Sequence, residues 1–362
     1  MSPLLKFIIK RIFASLFTLF ILTVLLYGTI AITPIEMRVA LYMPDNINLQ
    51  VLYDNPQAIE NLKQRIIEEH NLNAPFPIQY ISWITSFFTQ NWGYSPSLKQ
   101  EVLPALMQRA PATAELAIFS LILLIPLSLF CGIAAAVNKE KVIDYTVRLF
   151  TLGFMFIPLF ILALFLLAIF YVSLKWFSLG GMSHDLYLLG PTFRSYTGLM
   201  TIDGLLNQRF DVVLKTLQHL TLPVITLVFS QWALLTRITR TALIEELKKE
   251  YILSAKAKGA SEHTILWDHA LKNALGVFLS NAALSAASFV TGVFVVERIF
   301  LWPGVSDMAL RSGSYQPDAP AVMGFTVYSV MVVLIIMLVM DILQVILNPY
   351  ITRDVLEYSN AK

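Results

Sequence analysis

Charge is what this sequence has little of. Only 14% of its 362 residues are Asp, Glu, Lys or Arg, while 57% are apolar. An ordinary globular chain carries about 25% charged residues. So few charges cannot cover a soluble particle of this length, which sets aside the two soluble domains that length alone suggests. The 26 basic and 24 acidic residues cancel to a net charge of +2, which excludes a nucleic-acid binder and a disordered chain. Cysteine is almost missing. Cys131 stands alone, so no internal disulfide or cysteine zinc site can form. There is no Gly-x-x-x-x-Gly-Lys-Ser/Thr phosphate loop and no His-Glu-x-x-His pair. His263 and His269 are six apart, about 600° around a helix, and face different sides. What remains is an integral membrane protein.

The gaps between charges show where it crosses. A spanning helix needs about 20 apolar residues. Seven runs of 20 or more residues lack Asp, Glu, Lys and Arg. Six read as spans, at 12–35, 116–138, 149–174, 216–236, 273–296 and 319–340. The seventh, Asn71 to Leu98, holds Pro75, Pro77 and Pro96 among several amides. Its apolar stripe of Ile78, Ile81, Ile84 and Phe87 or Phe88 predicts a one-sided helix, lying on the membrane or packed against the bundle. Lys6, Lys10 and Arg11 precede the first run as in a signal peptide, but 24 residues exceed the roughly 7–15 of a signal core, so a retained first helix is expected. The short loops on the side of the termini hold 15 Lys plus Arg in 79 residues, against 6 in 63 on the other side. The positive-inside rule then places both termini in the cytoplasm; the long loop 36–115 is not counted.

One loop concentrates the charge. Residues 237–272 carry seven of the basic residues and five acidic ones. Thr241 to Lys258 is rich in helix formers and predicts a helix. Gly259 follows as a C-terminal cap able to take positive φ. Ser261 reads as the N-cap of a second helix, with Glu262 near its N-terminus. Ala255, Ala257, Gly259 and Ala260 strip bulk from the bend. From these residues alone, a docking site and a solvated connector stand about level.

The string from Tyr251 to Ala274 resembles the signature loop of binding-protein-dependent ABC transporter permeases, whose pattern is Glu-Ala-Ala, three residues, Gly, nine residues, Ile-x-Leu-Pro. Gly259, Ala255 and Leu271 fit it. Leu253 and Ser254 stand where Glu-Ala would be, His269 replaces Ile, and Lys272 replaces Pro. Those departures are similar to the oligopeptide/dipeptide branch. So are Leu222 to Arg240, Val296 to Leu310, Asp341 to Pro349 and Arg109 to Ala117. Arg298 stands where that branch usually has a small hydroxyl residue. Asn91 to Ser95 departs from a commoner Gly-Asp-Leu-Gly-x-Ser, and Thr197 to Leu206 resembles an insertion of some members.

The resemblance implies an all-α integral membrane protein, a six-transmembrane-helix type I ABC importer permease with an extracytoplasmic helical cap. Residues 1–35 would be the N-terminus and first span, and 36–115 the extracytoplasmic loop. Residues 116–362 would be the core, with an insertion at 175–215 and the coupling loop at 237–272. It further implies a bacterial inner-membrane protein with a second homologous permease subunit as partner in a heterodimer. Two ABC ATPase subunits and a periplasmic or lipid-anchored binding protein would complete the importer, alongside membrane lipid and no nucleic acid. This chain would be no enzyme and would bind no cofactor, with ATP and magnesium used by the ATPase subunits. Glu250, Tyr251, Ala255, Lys256, Ala257, Lys258, Gly259, Ala260 and Ser261 would couple to an ATPase. Lys256 and Lys258 either contact acidic groups there or serve only to hold the loop cytoplasmic. The cargo is expected to be peptide. Nickel chelates, glutathione, antimicrobial peptides and oligosaccharides stay open, as does, from another class, a stand-alone secondary transporter or channel.

The spans hold almost no ionisable side chains, which disfavours proton- or sodium-coupled transport; His219 and Asp341 sit at span ends. Asn281, Ser285, Ser288 and Thr291 either line a translocation path or form interhelical hydrogen bonds. Pro126 and Pro158 predict kinks. Gly132, Gly153, Gly276 and Gly292 predict close helix approach instead. Outside, Tyr53 to His70 predicts an amphipathic helix, and Gly180-Gly181, Gly190-Pro191 and Thr197-Gly198 mark turns in the insertion.

Overall fold

The computed structural model describes residues 3–40, 42, 56–181, 190, 193–309 and 318–347. The beginning of the expected helix at Tyr53, Pro191 and the end of the Asp341 to Pro349 segment lie outside the described residues. The described chain is mostly helical. Four helices are long and apolar enough to cross a membrane: α1 (Pro3–Ala31), α5 (Val102–Val137), α9 (Phe210–Glu246) and α13 (Ala319–Leu347). Two bent pairs each make a further candidate span. They are α6 (Val142–Phe156) with α7 (Leu159–Ser173), and α11 (Glu262–Leu284) with α12 (Ala286–Ile299). The chain forms two compact units, one of residues 1–15, 113–302 and 332–362, the other of 16–112 and 303–331.

In the first unit α9 is the central element, with buried residues along its length from Val212 to Glu246. It packs against α6, α7, α11 and α12. Close approach is literal at Gly132 of α5, where a Cβ would lie 2.5 Å from Cβ of Thr239 on α9. Gly292 of α12 is the milder case, 3.3 Å from Leu159 and Leu227. Gly153 has open space there, so its smallness serves no packing.

Pro126 leaves α5 continuous. Pro158 does more than kink its span: α6 and α7 turn through 101° at it. Pro158 has no N–H to donate back, and it drives Ile157 to an extended ψ of 115°. α11 and α12 meet at 51° beside Ser285. α9 runs well past both ends of the run at 216–236.

The insertion of this unit is built around α8 (Met200–Leu206) and one carboxylate. Asp203 is fully buried. It accepts from Ser195 Oγ (2.9 Å), Thr197 N (2.8 Å), Thr197 Oγ1 (2.8 Å) and Gly198 N (3.0 Å). Burial pushes this carboxyl up, but the donors outweigh it and hold it below the ordinary carboxylate range. Glu115 of α5, also buried, accepts from Thr201 N (2.7 Å) and Thr201 Oγ1 (2.6 Å), which fastens α8 to α5. Glu297 of α12 is buried and accepts from Thr113 Oγ1 at 2.5 Å.

The second unit holds α2 (Ile35–Ala40), α3 (Pro56–Glu69), α4 (Phe76–Phe88) and a two-residue antiparallel ladder, β1 (Tyr94–Ser95) with β2 (Gln100–Glu101). α4 lies in the run at 71–98, and its rotation divides the expected stripe: Ile84 is partly buried and packs on a cluster with Tyr27 and Tyr80. Ile78, Ile81 and Phe88 are exposed, whereas Gln79 and Tyr80 are buried. Hydrogen bonds set that rotation. Gln79 Nε2 donates to Leu72 O (3.0 Å) and Ala74 O (2.6 Å), and Tyr80 Oη lies 2.9 Å from Thr23 Oγ1 of α1. A buried amide left without partners costs more than an isoleucine left at the surface.

At the other side of the unit buried Asp318 caps α13 through Ala321 N (3.0 Å). It also accepts from Ser95 Oγ (2.5 Å) and Ser97 Oγ (2.6 Å). Gly93 takes φ +85° with Pro320 3.3 Å from where its Cβ would be. So the two residues that Asn91 to Ser95 keeps from the commoner pattern, Gly93 and Ser95, both have geometric work.

Candidate functional site

The charged loop at 237–272 folds as a small closed structure between α9 and α11. The single helix expected over Thr241 to Lys258 is two. α9 ends at Glu246, Leu247 to Lys249 turn, and α10 (Glu250–Ala257) follows. Helix propensity is a weak prior, and packing overrides it here. The turn aims Ile252, which is fully buried, into a cluster with Leu243 of α9 and with Ile265, Ala270 and Ala274 of α11. Ala136 of α5 joins the same cluster.

α10 ends as its sequence demands. Gly259 takes φ +83°, with open space where a Cβ would be. Ala260 N donates to Ala255 O (3.1 Å) and Gly259 N to Lys256 O (2.9 Å). That pair of bonds is a Schellman cap, which needs a left-handed residue at the glycine position. Ala255 and Ala260 pack together on the buried cluster, as the motif favours. Ser261 caps α11, accepting from Thr264 N at 3.2 Å. A wider-wound π segment, Ile265–Ala270, then interrupts the α geometry of α11.

The nine sequence-chosen loop residues therefore divide into two groups. Ala255 and Ala260 face the cluster. Glu250, Lys256, Ala257, Lys258, Gly259 and Ser261 are exposed. Lys256 and Lys258 form no ion pair among the described residues. Tyr251 does both: the residue is 37% exposed, but its hydroxyl donates to Glu246 Oε2 (2.7 Å) and accepts from Asn273 Nδ2 (2.9 Å). Burial, joined by the carboxylate of Glu246 and opposed by the Asn273 bond, pushes the phenol above its ordinary range, so it stays protonated. Glu246 Oε1 accepts from Lys249 Nζ at 2.6 Å.

Two apolar residues also face solvent on this loop, Leu253 at 59% and Trp267 at 46% exposure. Sequence reasoning passed over both as site residues, although Leu253 occupies a position where the resemblance calls for Glu. That substitution was the signal: a position that accepts Glu elsewhere is a surface position. Behind the loop, buried Asp144 of α6 accepts from Arg240 of α9 through two bonds, Nε to Oδ1 (2.5 Å) and Nη2 to Oδ2 (2.7 Å). Neither partner stood out in the sequence, where they are 96 positions apart.

The four polar residues of α11 and α12 share no joint site with this loop. Ser288 and Thr291 are exposed, and Asn281 and Ser285 are partly buried. Asn281 Nδ2 donates to Val277 O (2.8 Å), Ser285 Oγ to Asn281 O (2.9 Å) and Thr291 Oγ1 to Ala287 O (3.0 Å). The bonds of these three run to their own backbone, not to other helices. Val277, Leu284, Ser288 and Thr291 recur at spacings of seven, four and three, so they form one exposed stripe. Arg298 is exposed further along α12, so that departure costs no packing.

Known proteins agree with the loop's resemblance. The chain is 30% identical over 298 residues to the oligopeptide transport system permease protein AppB of Bacillus subtilis (strain 168), covering 82% of this chain and 87% of that one. It is 32% identical over 295 residues to the probable D,D-dipeptide transport system permease protein DdpB of Escherichia coli (strain K12), covering 82% and 84%. It is 28% identical over 348 residues to the di/tripeptide transport system permease protein DppB of Pseudomonas aeruginosa (strain UCBPP-PA14), covering 96% and 99%. Residues 125–353 match the family described as binding-protein-dependent transport system inner membrane component. That match holds the last third of α5 and all of α6 to α13, the 237–272 loop among them, and the chain belongs to this family of inner-membrane transport permeases.

Proposed function

We propose that the chain is one permease subunit of an ATP-driven peptide importer. It crosses the inner membrane six times, the bent pairs α6–α7 and α11–α12 each counting once, with both termini in the cytoplasm. With a second, homologous permease it encloses the pore. It hydrolyses nothing and holds no cofactor. Two separate ATPase subunits use ATP and magnesium, and a binding protein brings the peptide from outside.

The observation that carries this reading is the closed loop. α10 and its Schellman turn present Glu250, Lys256, Ala257, Lys258, Gly259 and Ser261 outward, while Ile252 joins the same element to α9 and α11. An element exposed on one face and packed onto two membrane helices on the other can pass a push from an ATPase to the spans as rigid-body motion. The peptide cargo is supported by the relatives, which are named for oligopeptide, dipeptide and di/tripeptide transport. The stripe from Val277 through Asn281, Leu284 and Ser288 to Thr291 is the proposed lining of the path. Ser285 marks the bend beside it.

The test is Gly259→Val. The left-handed φ at Gly259 is hard for any L residue and harder for a β-branched one. Uptake of a labelled dipeptide is expected to fall to background at normal membrane abundance. Uptake at the normal rate would refute the loop's role.

A further inference from the structure

Tyr251 is not only part of the surface offered to an ATPase. Its hydroxyl sits at the junction of three elements. It donates to Glu246 at the end of α9 and accepts from Asn273 near the membrane end of the loop on α11, while its own backbone belongs to α10. Asn273 Nδ2 also reaches His269 O at 3.3 Å, in the π segment. Glu246 is nearly buried and gives its second oxygen to Lys249, in the turn between α9 and α10. One tyrosine oxygen thus links a chain of hydrogen bonds across the turn and onto the next helix. Ile252, the adjacent residue, holds the same helix from its apolar side. α10 has only eight residues, too few to stay helical by itself. Its direction relative to α9 and α11 depends on these two anchors together with the cap at Gly259.

The anchors differ in what they constrain. An apolar side chain in a cluster resists removal but tolerates rotation, since burial has no direction. A hydroxyl that donates one bond and accepts another, to groups on two different helices, fixes an angle. From this difference we infer that the Glu246–Tyr251–Asn273 clasp is the joint that makes α9, α10 and the start of α11 move as one body. It is a positioning device that sets how much of an ATPase stroke reaches the spans. This inference rests on the proposed coupling role of the loop and names the residues that transmit through it.

The experiment uses the assembled importer in liposomes, with peptide uptake and ATP hydrolysis measured on the same sample. Tyr251→Phe keeps the ring and removes the joint. Peptide carried per ATP is expected to fall at least threefold, with membrane abundance and complex assembly unchanged. Asn273→Ala should give the same loss, and the double variant should be no worse than either single one, because both remove the same joint. Glu246→Gln keeps an acceptor for the phenol and should retain most of the ratio. If Tyr251→Phe leaves peptide per ATP unchanged, or lowers uptake and hydrolysis in equal proportion, the clasp is not a transmission joint. If the two single losses add in full, the residues act separately and the inference also fails. Gly259→Val in the same assay separates the two readings. Normal uptake there overturns the coupling role itself, whereas background uptake there with a normal Tyr251→Phe ratio overturns only the clasp.

Discussion

Two loops of the first compact unit hold themselves in opposite ways. The insertion at 193–209 is held by carboxylates. Asp203 is saturated by four donors, and Glu115 reaches in from α5 to take Thr201. The loop at 247–261 is held by one isoleucine, a chain of shared hydrogen bonds and a glycine cap. A buried carboxylate with all its partners in place resists any displacement, because a lost donor leaves charge uncompensated. An apolar anchor with a directional joint can travel with its helices. The difference separates a part fixed in place from a part that, on the proposed coupling role, can move with its helices.

The comparison can be broken at its strongest point first. Replacing Asp203 with Ala removes the acceptor for four donors at once. It should destabilise the insertion by about 3 kcal/mol or more, read as lost amide protection over 193–206 by hydrogen exchange. Protection over 250–261 should not change. Equal loss in both regions would mean that they are one cooperative unit.

Ile252→Ala is the counterpart. It should cost about 2–4 kcal/mol, the range for a large aliphatic side chain lost from a closed cluster. Exchange should rise across α10 while the insertion keeps its protection. If α10 stays protected, the clasp and cap alone hold it and the apolar anchor is secondary.

A smaller effect sharpens the contrast by pH. Asp203 has a folded value below the ordinary carboxylate value of about 3.9, so its stabilisation is fully present above about pH 4. It is lost as pH falls through the lowered folded value. The decline in protection of 193–206 that belongs to Asp203 should begin only below about pH 4, and Asp203→Asn should abolish it; Glu115, whose carboxyl burial pushes up, would add protection as pH falls. A decline already at pH 6 would contradict the assignment. Smallest is Gly132→Ala, whose methyl must displace Thr239 on α9. About 1–3 kcal/mol of overpacking is expected, seen as a lower midpoint of thermal unfolding in detergent with both loops equally affected.

Much of this was legible in the sequence because it is local. Charge-free runs marked the helices long enough to span, and Gly259 and Ser261 announced a cap and an N-cap that the structure makes with the neighbouring residues. What was not legible depends on partners far away in the chain. Asp318 bonds Ser95 from 223 positions away, Glu297 bonds Thr113 from 184, and Asp144 bonds Arg240 from 96. In the sequence each looks like an ordinary charge near a span end. The rotation of α4 was not legible for a related reason. Its apolar stripe was a sound helical pattern, but one buried amide, Gln79, decides which face turns inward. The break at Leu247 to Lys249 was hidden too, since every residue there is a good helix former and only the burial of Ile252 requires the turn.

The most direct test of the coupling account is a contact measurement. Cysteine placed at Ala257, which is exposed at the end of α10, can be cross-linked in the assembled importer to cysteines scanned across the ATPase surface. The account predicts disulfides at one groove of the ATPase, with yields that change between the nucleotide-free and ATP-bound states. No cross-link from Ala257 in any state, in a complex that still imports peptide, would contradict it.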